Sequence, residues 1–156
     1  MSFVDACPPT GWTCAVTGAA GVVAAGDAAN WYNPLYERFM RVEHWTNAIE
    51  QGTYAARRPL GTHDPDGFAS APYFWSDQYG MLLQSVGSTA GYDEIEILVR
   101  DGEKLLVAYA RHGRLICVAG LHAGTAVMSY RCLVSAQATM DTVRAKEHET
   151  AEAVRP

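Results

Sequence analysis
The stretch EIEILVRDGEKLLVAYARHGRLICVAGLH, residues 94–122, decides the fold. Ile95, Ile97 and Val99 alternate with Glu94, Glu96 and Leu98, the period of a strand with two different faces. Asp101-Gly102 reads as a hairpin turn, residues 105–111 as the returning strand and His112-Gly113 as a second turn. Residues 114–122 are apolar on both faces, as a strand interior to a sheet is. Just upstream, residues 80–87 form one more strand, so the second half of the chain is an antiparallel meander.

Outward from the meander the pattern becomes helical. Val127, Tyr130, Leu133 and Val134 recur at helical spacing and predict a helix over 126–140 that covers one face of the sheet. The charged tail, 141–156, reads as a solvated or frayed helix. Towards the N-terminus, Val42, Trp45, Ile49, Gly52 and Ala56 predict a helix over 37–58 with that stripe inward, closed by Pro59 and Gly61. Residues 62–71 read as a polar loop, 28–35 as a loop broken at Asn33-Pro34, and 21–27 as an apolar strand-like run ending in Gly26-Asp27. The expected organisation is an irregular segment over 1–20, a domain over 21–140 and the tail. The fold class is α+β, a four- to five-stranded antiparallel sheet packed with two main helices.

The 156 residues suffice for one domain with a core but not for two dinucleotide-binding domains. A net charge of -5 without a basic stripe argues against nucleic acid. No apolar run is long enough for a membrane span, and the first residues have no signal-peptide pattern, so a cytoplasmic protein is expected. The cysteines Cys7, Cys14, Cys117 and Cys132 and the five histidines show no metal spacing. Cys117 and Cys132 read as buried thiols, and Cys7 and Cys14 as a pair only in an oxidising compartment. No nucleophile elbow or Ser-His-Asp order is present.

Three blocks carry a resemblance: residues 24–27 (AAGD), 41–52 (RVEHWTNAIEQG) and 72–80 (PYFWSDQYG). In this order and spacing the chain resembles the C-terminal part of the oxygenase-coupled, FAD-dependent ferredoxin reductases, over about residues 21–140. The resemblance implies that Asp27 faces the flavin's ribityl chain and that Trp45 and Trp75 lie near its ring. The family's glycine loops, G-x-G-x-x-G, do not occur in this sequence. A dinucleotide is held chiefly by its pyrophosphate at such a loop. A single hydrogen bond from Asp27, about 1 kcal/mol net, is no substitute. No bound cofactor is therefore expected.

Two kinds of function follow. In the first, the vacated flavin pocket takes an apolar small-molecule substrate, with Trp45, Trp75, His44, Asp27 and Met81 lining it and Tyr79, Gln78 and Asp77 contacting the reacting groups. Such a pocket folds a polyene polyketide for a cofactor-free cyclisation of cycloaddition type. The chain is similar, on this reading, to stand-alone reductase-derived proteins of polyketide pathways. In the second, the chain is an accessory or FAD-binding subunit of a split ferredoxin reductase; a vestigial protein without activity is the third reading. Asp27 reads equally as a loop cap, Trp45 as core, and His44 as a surface histidine. Strand alternation puts Phe74 and Trp75 on opposite faces, so one of them leaves the core. Apolar surface left by absent neighbours predicts a homo-oligomer.

Overall fold
The computed structural model describes residues 9–153, with side chains as far as residue 150. Cys7 with the rest of the first eight residues of the irregular segment, and the end of the charged tail, lie outside the described residues. The chain divides into two compact units, Met1–Pro72 and Tyr73–Pro156.

The first unit holds a small sheet of β1 (Pro9–Thr10), β2 (Asn30–Asn33) and β3 (Arg38–Met40), with β1 parallel and β3 antiparallel to β2. Helix α1 follows at Trp45–Arg57. The strand-like run over 21–27 is not a strand. Gly21 and Gly26 take φ of 77° and 66°, which interrupts extended backbone, and Gly26–Ala28 closes into a 3-10 turn. The loop expected over 28–35 contains β2, whose Trp31 and Asn33 are buried at period two. The helix starts eight residues later than its apolar spacing suggested. Glu37 at φ 54° ends one turn, and the next three residues pair with β2.

Trp31 anchors this unit's core. Its indole Nε1 donates to the Phe68 carbonyl at 3.0 Å, and its ring lies 5.5 Å from that of Phe68, which also meets Tyr54 at 5.7 Å. Buried Asn33 donates to the Ser70 carbonyl at 2.9 Å and accepts from Leu35 N–H at 3.1 Å, which satisfies an otherwise costly buried amide.

The second unit is a five-stranded antiparallel sheet: β4 (Tyr73–Gln78), β5 (Met81–Gly87), β6 (Glu94–Asp101), β7 (Lys104–Arg111) and β8 (Arg114–Leu121). The spatial order is β4-β5-β8-β7-β6. The continuous apolar run is indeed the central strand, with Leu115, Ile116, Cys117 and Val118 all buried. The β6–β7 turn lies at Gly102-Glu103, one residue later than expected, because Asp101 pairs with Lys104. Gly87, at φ 101°, sits where an added Cβ would lie 2.1 Å from the Ile116 carbonyl oxygen, so no other residue fits there.

The helix expected over 126–140 is two short ones, α2 (Gly124–Ser129) and α3 (Arg131–Ser135), with Tyr130 between them. Gln137 at φ 46° then turns the chain into α4 (Met140–Ala153). The first half of α4 is not merely solvated. Val143 is fully buried, and Arg144 reaches Glu94 at 3.0 Å and Glu96 at 2.8 Å on β6. Cys132, expected in the core, is exposed on α3, whereas Cys117 is buried. Helices α2, α3 and α4 contribute Val127, Val134 and Val143 to the core over the sheet; each fully buried aliphatic side chain adds about 1.5–3 kcal/mol. No helix among the described residues is long and apolar enough to cross a membrane.

Candidate functional site
In the first unit, the first two sequence blocks meet. The Gly26 N–H donates to Gln51 Oε1 at 2.7 Å, and a Cβ on Gly26 would lie 3.0 Å from that of Ala48. The glycine therefore lets the turn lie directly on α1. Arg41 Nε donates to the Asp27 carbonyl at 2.9 Å and its guanidinium pairs with Glu43. His44, in extended backbone, precedes the first helical turn, and its carbonyl accepts from Ala48 N–H at 3.0 Å.

Asp27 is exposed, and its carboxylate acts on His44. Burial lowers the His44 pKa below 6.5, against the opposing pull of Asp27 and then Glu43. Trp45, 70% exposed, stands beside them, with Ile49, 51% exposed, one turn on. The inward face of α1 is instead Asn47, Gln51, Tyr54 and Ala55. The core reading of Trp45, Ile49 and Ala56 is thus corrected, whereas Val42, ahead of the helix, is buried as expected. Two buried amides take the inner face because they bind backbone groups: Gln51 at Gly26, and Asn47 at the Val42 carbonyl, 3.4 Å away. Gln51 also lies against Cys14, whose thiol burial pushes up to about 11.

The third block forms the β4–β5 hairpin of the second unit. Tyr79 and Gly80 have φ of 56° and 74°, the two left-handed positions of a tight hairpin turn. Tyr79 is 98% exposed at its tip. Trp75 stacks on Tyr73 with ring centroids 5.6 Å apart, and the Tyr73 hydroxyl accepts from Gln84 Nε2 at 2.5 Å. Alternation places Asp77 on the face of Tyr73 and Trp75, and Gln78 on the other with Ser76, to which its Nε2 donates at 3.1 Å. Met81 opens β5 and is exposed. Of the anticipated residues, Asp27, His44 and Trp45 are therefore brought together in the first unit. Trp75, Asp77, Gln78, Tyr79 and Met81 share one hairpin in the second, but on different faces.

Gln51 and a lysine-lined cleft in the second unit were not anticipated. The signal for Gln51 was present as Asn47 and Gln51 four residues apart, with Tyr54 and Ala55 continuing the same helical face. Among the described residues no three His, Cys, Asp or Glu side chains cluster as a metal site.

The match to a family is direct. The family described as Reductase C-terminal matches residues 73–151, and the chain belongs to it. It is 42% identical over 74 residues to putidaredoxin reductase of Pseudomonas putida, covering 47% of this chain and 17% of that protein. It is 32% identical over 123 residues to the ferredoxin–NAD(+) reductase component of the anthranilate 1,2-dioxygenase system of Burkholderia cepacia, covering 77% of this chain and 30% of that one. Among solved structures, the covalent putidaredoxin reductase–putidaredoxin complex superposes with a TM-score of 0.76 at 26% identity, over 84% of this chain and 31% of that one. The chain thus spans less than a third of the length of these relatives.

The side chains present fit one edge of a flavin. Asp27 is an exposed carboxylate suited to sugar hydroxyls, and Trp45 an exposed aromatic face. Among the described residues nothing fits the pyrophosphate: the sequence has no G-x-G-x-x-G, and Gly26 is filled against Ala48. The dinucleotide as a whole does not fit this chain alone.

Proposed function
We propose that this chain serves as the C-terminal unit of a ferredoxin reductase and works with a polypeptide part that carries FAD and the pyridine nucleotide. The observation that carries the reading is the inverted face of α1. The helix buries amides and leaves Trp45 and Ile49 in solvent, within a block resembling the reductases. Apolar side chains held outward by hydrogen-bonded polar ones inward suit contact with another surface. Membership of the Reductase C-terminal family and the reductase relatives support the same reading. In this role Asp27 and Trp45 border the flavin. Neither the fold nor the relatives support the cyclase reading.

The test mixes the purified chain and FAD with the portion of putidaredoxin reductase that precedes its matched segment. The expected result is co-elution with flavin and a rise in NADH-dependent ferricyanide reduction that Trp45→Ser diminishes. Separate elution with no rise in reduction refutes the proposal. Self-association through the same apolar residues is the competing outcome, and light scattering of the chain alone reveals it.

A further inference from the structure
Of the twelve Lys and Arg residues in the chain, only two are lysines, Lys104 and Lys146. Both line the same cleft, and among the described residues no arginine does. The cleft, about 590 Å³, lies in the second unit between α2, α4 and the strands β6 and β7. Its volume is within the range of about 300–1,000 Å³ usual for small-molecule sites. We propose that it binds a small organic monocarboxylate with an apolar body.

The walls suit the body. Val99, Leu106, Ala126 and the ring of Tyr130 form the apolar lining. The charges suit the head. Lys146 does not splay into solvent: its Nζ donates to the Ser129 carbonyl at 2.8 Å and to Ser129 Oγ at 2.6 Å, and it lies 3.7 Å from the centre of the Tyr130 ring. Burial lowers its pKa, with Glu147 opposing. The ammonium has thus lost part of its water and gains from an added anion. Glu147, the acid of the lining, already accepts the Tyr130 hydroxyl. Lys104 stands exposed at the rim.

The two lysines and the one glutamate of the lining sum to a single formal positive charge, which matches a monoanion. Phosphate esters are disfavoured, because a multiply charged, forked head is better matched by arginine, and none of the arginines among the described residues lines the cleft.

The experiment titrates the whole chain, isotopically labelled, with 4-phenylbutyrate and with its neutral counterpart 4-phenylbutanol, following amide NMR shifts. Saturable shifts at Ala123, Thr125, Ala126 and Ser129 are expected, with the alcohol weaker by about tenfold. Lys146→Met is expected to weaken the acid by about the same factor and leave the alcohol unchanged, whereas Arg100→Gln, outside the cleft, changes neither. Equal affinity for acid and alcohol, shifts centred elsewhere, or no saturation by about 10 mM overturns the proposal. The acid–alcohol comparison on the parent chain decides it even where the lysine variant does not fold.

Discussion

Replacing Gln51 with leucine puts an apolar side chain in the same buried place and deletes the amide, whose oxygen is the acceptor at issue. In the parent, that oxygen takes the Gly26 N–H at 2.7 Å in a fully buried setting. Leucine leaves the N–H with neither protein nor water as partner, which costs about 1–3 kcal/mol. Gln51→Ala adds the cavity where the amide stood and is expected to cost about 3–5 kcal/mol in all. These are large fractions of the roughly 5–15 kcal/mol that hold a typical domain together. Urea unfolding of the whole chain measures the loss. Trp31 is fully buried while Trp12, Trp45 and Trp75 are exposed, so the blue-shifted part of the emission reports the first unit. Hydrogen exchange in β7 and β8 is expected to stay at the parental level, because Gln51 and Gly26 belong to the other compact unit. A Gln51→Leu protein within about 0.5 kcal/mol of the parent refutes the argument that this amide pins the Gly26-Asp27 turn to α1.

Three further outcomes are expected. Gly87→Ala forces a Cβ to within 2.1 Å of the Ile116 carbonyl oxygen and is expected to cost more than about 4 kcal/mol, read as loss of cooperative unfolding of the second unit. The His44 pKa is depressed in the folded chain, so the unfolded chain binds the proton more tightly. Its contribution to stability is complete above 6.5 and is lost as pH falls through the lower folded value, and His44→Gln is expected to flatten this part of the urea-midpoint profile. Maleimide at neutral pH is expected to label exposed Cys132 but to spare Cys14 and Cys117, whose thiols burial pushes up to about 11 and about 12; mass spectrometry of peptides checks this.

The meander was legible because its signals are local. Alternation at period two, the His112-Gly113 turn and an unbroken apolar run are each contained within a few residues. They specify the strands and the central place of β8. The small sheet of the first unit was not legible. Its strands are two to four residues long, and β1 pairs in parallel with β2 some twenty positions away. Helix α1 misled for a physical reason: hydropathy places Trp45 and Ile49 inward, but the backbone hydrogen bonds of Asn47 and Gln51 reward the opposite face. The sequence reading grouped Asp27, His44 and Trp45 with Trp75 and Met81, which lie on the hairpin of the other unit, and it did not reveal the turn-on-helix contact between the first two blocks. The lysine cleft could not be foreseen because α4, which supplies Lys146, read as a solvated tail.

Strand β8 is the last to leave the ribosome and the one on which the sheet depends. Until residues 114–121 emerge, the β4–β5 and β6–β7 hairpins have no shared ladder and remain two separate ribbons, each marginal by itself. Synthesis halted before that point yields open strand edges rather than a smaller version of the sheet, a form prone to clump with its own kind.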